Sequence, residues 1–246
     1  MANTPLDGAG YLIRGLGLIT KPGIRPFVLI PLTVNVVVFS LLIWLGIDQF
    51  EGMMDSLLPA DESWFSWLRW LLWPLFAIAL VLIVFYSFTV IANLIAAPFN
   101  GLLAEKVERH LGGEPPQQPG GVKQMMKELV PALRSELRKM GYFLLRAIPL
   151  LILFLIPGIN IVAPFLWIAF SAWFLAIEYG DYPMANHKLT FQDQHQRLKQ
   201  TRFTALVFGG SLTLMMTIPL LNFFAMPAAV AGATIFWRER LQEQAG

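Results

Sequence analysis

The sequence contains no cysteine, which excludes disulfide scaffolds, thiolate zinc sites and cysteine nucleophiles. It also has little charge, because Asp, Glu, Lys and Arg make up only 14% of its 246 residues. A soluble domain carries about 25% charged residues and needs them to cover its surface. Hydrophobic residues account for 56% of the chain. The composition therefore predicts a multi-pass integral membrane protein, with a single membrane domain over residues 1–246.

Signatures of enzymes are missing from the sequence. It has no His-Glu-x-x-His, Gly-x-Ser-x-Gly, Walker or dinucleotide-binding motif. The three histidines, His110, His187 and His195, lack metal-ligand spacing. A net charge of +2 without a Lys/Arg-rich run does not favour nucleic-acid binding. We expect a protein that is not an enzyme and that uses no cofactor, no metal and no nucleic acid.

Two apolar stretches, residues 26–47 and 70–97, are each long enough to cross a hydrocarbon core of about 30 Å. The segment between them carries five acidic residues against one basic residue, Arg69. Since Lys and Arg favour the cytoplasmic side, we expect this loop outside and both termini inside. Trp64, Trp67, Trp70 and Trp73 fit an aromatic belt at the edge of the loop.

A charged insertion follows at residues 105–141. Its second half has apolar residues at helical spacing and basic residues between them, which predicts an amphipathic helix that either lies at the cytoplasmic interface or packs on its neighbours. Pro131 is expected to bend or restart this helix.

The C-terminal half contains two similar breaks, each reading Ile-Pro-x-x-Asn, at residues 156–164 and 218–227. The apolar runs beside them are short, and residues 228–237 would make a helix of only about 15 Å. We therefore expect two re-entrant helical hairpins, at residues 142–178 and 203–237. The alternative is six full spans with tight outside turns. The predicted fold class is all-α, with two long transmembrane helices, two re-entrant hairpins and the amphipathic helix.

Polar residues inside the spans are costly and therefore informative. Asparagines seven apart share one stripe of the second helix, and an i,i+4 ion pair continues that helix. One interpretation is a polar path leading to a charged mouth. The other is helix–helix contact for the amides and a surface pair for the charges. The pore-lining candidates are Asn35, Asn93, Asn100, Glu105, Glu108 and Arg109.

Near the N-terminus, glycines precede Lys21-Pro22-Gly23-Ile24-Arg25. Glycines let backbone N–H groups approach an anion, and an arginine can complete such a site. The alternative is a loop with a snorkelling arginine. The anion-binding candidates are Gly15, Leu16, Gly17, Leu18, Ile19 and Arg25. Residues 178–183, acidic and aromatic, are expected to form an interfacial anchor and turn.

Several stretches resemble the bacterial sulfate permease family CysZ over residues 8–240. They are Gly15-Leu16-Gly17-Leu18-Ile19 with Pro22-Gly23-Ile24-Arg25, the run from Ala96 to Glu105, the Pro-Gly-x-Asn turn at 157–160, and residues 178–183. The resemblance implies sulfate uptake across the bacterial inner membrane for assimilation into cysteine. It also implies the same helix-and-hairpin architecture and homo-oligomers, with antiparallel pairs of protomers.

By the same resemblance, sulfate binds to the backbone of residues 15–19 and to the Arg25 side chain. Family members often carry a second arginine where this chain has Pro26, so either Lys21 or a neighbouring protomer supplies the charge or the site is weaker. The leading hypothesis is a sulfate transporter or channel. The rival hypothesis is a non-transporting membrane scaffold that binds lipid or a partner protein.

Overall fold

The computed structural model describes residues 6–57, 66–116 and 122–242, which form helices joined by turns. Within these ranges no strand occurs, and the predicted all-α class is confirmed. The helices are α1 (Asp7–Leu18), α2 (Arg25–Leu57), α3 (Ser66–His110), α4 (Val122–Leu153), α5 (Ala163–Asn186), α6 (Phe191–Gln200), α7 (Arg202–Met216) and α8 (Pro219–Phe236), with a 3-10 turn at Ile159–Ile161 and a π-helical turn at Trp237–Leu241.

Three segments of the described chain are long and apolar enough to cross a membrane: Arg25–Gly52, Ala163–Asn186 and Pro219–Leu241. These segments confirm the prediction of a membrane protein. The chain divides into two compact units. We call residues 26–99 the hairpin unit, and residues 1–25 together with 100–246 the core unit.

The hairpin unit consists of α2 and most of α3. Phe50 stacks on Phe76 with ring centroids 3.7 Å apart, and Trp73 meets Phe50 edge-on at 5.3 Å. Gly46 lets Leu80 approach the backbone of α2. These contacts step in opposite directions along the two helices, so α2 and α3 are antiparallel. Trp64 lies outside the described residues, as does the side chain of Trp67.

The core unit is held together by small residues that bring helix backbones close. A Cβ at Gly15 would lie 2.3 Å from the Ala228 carbonyl oxygen of α8, and one at Gly209 only 1.8 Å from that of Ala172 in α5. In α8, alanines from Ala225 to Ala233 are essentially inaccessible. Small residues at helix interfaces are typical of membrane bundles, where close van der Waals packing replaces the hydrophobic effect. Helix α8 is thus the centre of the core unit.

A break separates α4 from α5 near the first one predicted: α4 ends at Leu153 and α5 begins at Ala163. Gly158 adopts a φ of +85°, which glycine reaches at no steric cost. The boundary predicted at residue 141 is not a helix end, because α4 continues through Pro131 and Gly141 into the first hairpin arm. The amphipathic helix and this arm are therefore one helix.

The predicted extent of the second break, residues 218–227, is wrong. The chain turns at Thr217 and Ile218, and α8 begins at Pro219. Proline is tolerated in the first helical turn, where its missing N–H has no partner to lose, and the Asn222 N–H already donates to the Ile218 carbonyl at 2.9 Å. Pro227 is accommodated inside the helix. The second arm is therefore 18 residues long rather than 10.

Candidate functional site

The turn between α1 and α2 is tightly pinned. Thr20 Oγ1 donates to the Gly17 carbonyl at 2.8 Å, and the Lys21 N–H donates to the Leu18 carbonyl at 3.0 Å. The Lys21 carbonyl in turn accepts the N–H groups of Ile24 and Arg25, both at 3.1 Å. Because Ile24 is buried, the turn is anchored on the core unit while the side chains of Lys21 and Arg25 remain exposed.

The predicted anion ligands Gly15, Leu16, Gly17 and Leu18 form the last turn of α1, and the Ile19 N–H donates to the Gly15 carbonyl at 3.2 Å. Their amides are therefore committed to helical hydrogen bonds rather than free in a loop. Gly15 faces α8, whereas Gly17 is exposed and has open space above its Cα. The two glycines thus differ: Gly15 serves packing, and Gly17 leaves room for a ligand.

Sequence reasoning missed α1 itself. Its signal was present, because Tyr11, Leu12 and Leu18 are buried at helical spacing together with Gly8 and Gly15. Reading the glycines as a loop hid this pattern.

A shallow cavity of about 400 Å³ opens beside this turn, between the ends of α1 and α3. Gly17 and Leu18 line it from one side, and His110 and Leu111 from the other. Helix α3 ends here in a glycine cap, in which Gly112 has a φ of +75° and the Gly113 N–H donates to the Glu108 carbonyl at 2.9 Å. The cap fixes His110 at the cavity wall.

Four basic side chains are exposed around the turn. Lys21 Nζ lies 3.5 Å from His110 Nε2, and the Lys106 side chain reaches to within 4.0 Å of where a side chain at Gly23 would begin. Among the described residues, no carboxylate pairs with any of the four. We call this group the basic rim: Lys21, Arg25, Lys106 and His110.

Arg14 also lines the cavity, but its charge is already balanced. Its guanidinium donates to both carboxylate oxygens of Glu239, at 3.0 and 2.6 Å. This bidentate pair ties α1 to the end of α8. Arg14 therefore contributes structure more than free positive charge.

Among the pore-lining candidates, Asn100 is buried in the core unit. Its Nδ2 donates to the Tyr182 hydroxyl at 3.3 Å and contacts the Met226 sulfur at 3.2 Å. It thereby joins α3 to α5 and α8, and this placement favours a helix–helix contact over a lumenal position.

The charged candidates on α3 have different surroundings. Arg109 pairs with Glu105 one helical turn away, and both side chains are partly exposed. Glu108 is fully buried, and its two oxygens lie 2.9 and 3.0 Å from His187 Nε2. Only Glu105 and Arg109 are therefore placed to meet an ion in water.

The remaining two asparagines belong to the hairpin unit. Asn35 is partly buried in α2, and its Oδ1 has no hydrogen-bond partner in the part of the chain that the structure describes. The backbone of Asn93 lies in α3, while its side chain falls outside the described residues.

The expected turn at residues 178–183 is wrong, since α5 continues to Asn186. Glu178 and Asp181 share one face of α5 and accept from Lys139 Nζ of α4 at 3.2 and 2.9 Å, while Glu136 adds a third carboxylate at 2.9 Å. Asp181 also accepts from Gln194 of α6 at 2.7 Å. We call this group the Lys139 cluster: Glu136, Lys139, Glu178, Asp181 and Gln194.

Lys139 as a whole residue is only 3% exposed, whereas the basic residues of the rim are exposed. Burial alone would lower the pKa of Lys139, but the charges of Asp181 and Glu178 outweigh it and raise that pKa above its ordinary value. Sequence reasoning missed this cluster, because its members lie on three helices and only the pairing of those helices brings them together.

Comparison with known proteins gives a consistent result. Residues 11–227 match the family model described as "Sulfate transporter CysZ/Etoposide-induced protein 2.4". A protein of Pseudomonas aeruginosa strain LESB58 named "Sulfate transporter CysZ" is 45% identical over 98% of both chains. One of the same name from Pseudomonas fluorescens Pf-5 is 51% identical over 96% of this chain and 95% of the relative. A third, from Pseudomonas syringae pv. tomato DC3000, is 46% identical over 96% and 93%.

Proposed function

This chain belongs to the family of the sulfate transporter CysZ and etoposide-induced protein 2.4, and we propose that it transports sulfate across the membrane. The observation that carries the proposal is the agreement of relatives at 45% and 51% identity along nearly the whole chain, each named as a sulfate transporter. Sulfate uptake would supply sulfur for cysteine synthesis. The proposal makes this protein a transporter and not an enzyme.

We place anion capture at the turn between α1 and α2. A dianion gains most from cations that no protein carboxylate has neutralised, and Arg25 is such a cation within the described residues. Its planar guanidinium offers paired N–H donors that suit a tetrahedral oxyanion. In this arrangement residues 15–19 contribute the open surface at Gly17, and the helical amides keep their own partners.

We propose pore-lining roles for Glu105 and Arg109 in the core unit and, separately, for Asn35 and Asn93 in the hairpin unit. The contacts of Gly46 with Leu80 and of Phe50 with Phe76 set the register of the antiparallel hairpin. Asn35 lies in α2 and Asn93 in α3, the two antiparallel helices of this unit. Neutral amides suit an ion that exchanges water for dipoles. Because residues 26–47 and 70–97 contain no Asp or Glu, we favour channel-like conduction over proton coupling.

We further propose that the two hairpins of the core unit are re-entrant. The turn between α4 and α5 exposes Leu155 and Ile161 at 81% and 72%, and the start of α8 exposes Leu220 at 78%. A turn that emerged into water would carry polar side chains, whereas these tips are suited to hydrocarbon.

The absence of native cysteine allows a direct test of the hairpin topology. We expect a single cysteine at Ile161 to resist a membrane-impermeant maleimide from either side, whereas one at Lys199, exposed on α6, reacts readily whichever way a protomer is inserted. Labelling at Ile161 as complete as at Lys199 would establish full spans instead.

We assign the protein to the bacterial inner membrane as a homo-oligomer, with antiparallel pairing of protomers as one arrangement. The family resemblance supports this assignment, as do the broad apolar faces of α2, α4 and α5 that contact lipid or other protomers. Crosslinking of single-cysteine protomers in membranes tests both the pairing and its direction.

Sulfate transport is tested by uptake of radiolabelled sulfate into liposomes that contain the purified protein. We expect saturable uptake in the wild type and a loss of about tenfold or more in Arg25→Ala, the size of one charge-assisted hydrogen bond. Lys199→Ala removes an exposed cation elsewhere and serves as the control. Uptake by folded wild-type protein no greater than in empty liposomes would overturn the proposal and favour a scaffold.

A further inference from the structure

The cavity beside the α1–α2 turn brings Lys21, the expected second cation of the anion site, next to a histidine that has no role so far. Lys21 Nζ and His110 Nε2 lie 3.5 Å apart at its wall, and both side chains are exposed to the opening. The cavity volume of about 400 Å³ falls within the range of about 300–1,000 Å³ that small-molecule pockets occupy. The space is therefore sufficient for a small hydrated anion.

The charge at this wall meets no carboxylate from the described part of the chain. Within residues 6–57, 66–116 and 122–242, neither Lys21 nor His110 contacts a carboxylate. The guanidinium of Arg14, which also lines the cavity, is satisfied by Glu239. Lys21 Nζ lies within hydrogen-bonding distance of the His110 ring, and since an ammonium has three N–H groups, it can donate to His110 and to an oxyanion together.

Both groups stand on rigid supports. Lys21 is the hub of the turn, giving its N–H to Leu18 and its carbonyl to Ile24 and Arg25. His110 is the last residue of α3 before the glycine cap, on a helical turn whose Leu103, Ala104 and Val107 are fully buried. The pair is thus preorganised, which reduces the entropic cost of binding.

We propose that Lys21 and His110 together bind one tetrahedral oxyanion, with Gly17 giving the clearance above them. This inference rests on the proposed function, and it assigns to sulfate a contact that Arg25 alone does not provide. Lys21 and Arg25 lie on one turn, joined by the hydrogen bond from the Arg25 N–H to the Lys21 carbonyl. The Lys21–His110 pair therefore offers sulfate a second contact on the turn that carries Arg25.

The experiment is titration of the purified, detergent-solubilised protein with sulfate by calorimetry. We expect Lys21→Gln and His110→Gln each to weaken sulfate binding by about tenfold, the size of one charge-assisted hydrogen bond. Lys21→Arg should restore most of the affinity. The control Lys199→Gln makes the same charge change on α6 and should stay within about twofold. Thermal unfolding without sulfate checks that each variant is folded, which we expect because both side chains are exposed.

The outcomes separate this inference from the proposed function. Wild-type affinity in both Lys21→Gln and His110→Gln, with loss in Arg25→Gln, would overturn the inference and leave sulfate transport standing. No saturable sulfate binding or uptake by wild-type protein would overturn both.

The phosphate of a lipid headgroup is also a tetrahedral oxyanion. Titration in nanodiscs distinguishes it from free sulfate as the occupant of the cavity. The titration is repeated in phosphatidylcholine discs with and without phosphatidylglycerol. We expect the same sulfate affinity in both. A loss of affinity with phosphatidylglycerol that Lys21→Gln abolishes would assign the cavity to a lipid headgroup and overturn the sulfate contact.

Discussion

The core unit holds basic side chains in two settings, the Lys139 cluster and the basic rim, which differ in how the positive charge is balanced. Lys139 is buried and pairs with three carboxylates, at 2.9, 3.2 and 2.9 Å. Lys21 and Arg25 are exposed, and none of the described carboxylates pairs with them. A cation that the protein neutralises supports the fold, whereas one left unneutralised on a rigid turn is available to an anion.

The largest expected effect comes from removing the balanced charge. Lys139→Met keeps the apolar stem but leaves Glu178 and Asp181 facing each other. We expect a loss of about 2–4 kcal/mol in the free energy of unfolding, at the lower end for a broken buried pair because water reaches these carboxylates. Thermal unfolding in detergent measures the loss, with the exposed neighbour Arg138→Gln as control.

Loss of sulfate binding in Lys139→Met, at a temperature where the variant is folded, would contradict the assignment of Lys139 to the fold alone. The buried lysine would then be part of the anion site. Unfolding of Lys139→Met at the wild-type temperature would equally contradict its structural role.

The next largest expected effect is a difference in stability between an alanine substitution at Gly15 and one at Gly17 of α1. A methyl group at Gly15 meets the Ala228 carbonyl at 2.3 Å, whereas one at Gly17 meets nothing within 4 Å. We expect Gly15→Ala to lower the free energy of unfolding by about 1–3 kcal/mol, as overpacking does, and Gly17→Ala to leave it within about 0.5 kcal/mol.

Gly17→Ala should instead narrow the cavity and weaken sulfate binding. Unfolding temperatures and sulfate titrations of both variants check the pair. Equal stability of the two variants would show that the α1–α8 contact is looser than the structure gives.

The smallest effect is a pH dependence at His195 on α6. Burial, together with the charges of Lys199 and Arg146, lowers the pKa of His195. The unfolded chain, with an ordinary pKa of about 6.5, therefore takes up the proton first as the pH falls, and stability declines below that pH. Above it this group contributes no slope.

His195→Phe keeps the ring contacts with Tyr142, Trp173 and Phe191 and should flatten this decline. Lys199→Gln should weaken it, because one of the repelling charges is gone. Unfolding temperatures between pH 7.5 and 5 measure the slope for each protein. A wild-type slope that persists in His195→Phe would place the titrating group elsewhere.

Motifs of a few consecutive residues predicted the parts of the fold that depend only on neighbouring residues. The break after α4 follows from Pro157-Gly158, and its φ of +85° at Gly158 is a conformation that favours glycine. The extent of the second break was predicted wrongly because a proline can begin a helix or lie inside one, as well as interrupt it. Pro219 lies in the first turn of α8, and Pro227 lies inside the same helix.

The turn predicted at residues 178–183 was also wrong, because the partner that stabilises the helix there is distant in the sequence. The composition of this acidic, aromatic stretch with Pro183 indicates a turn. In the structure it is helical, and Glu178 and Asp181 lie on one face of α5, where both pair with Lys139 of α4. The partner lies 39 residues away from Glu178, so no local pattern contains it. Likewise, the motif of residues 15–19 and Arg25 pointed to an anion, whereas the contribution of His110 depends on how α3 ends beside α1.

The most direct test of the account is to locate the anion. Selenate has the tetrahedral geometry and charge of sulfate, and its selenium is visible by anomalous diffraction from crystals soaked in it. We expect a selenium peak within hydrogen-bonding reach of Arg25, lost in Arg25→Gln, or one within reach of Lys21 and His110, lost in Lys21→Gln. A peak beside the Lys139 cluster, or none at the basic rim, would contradict it.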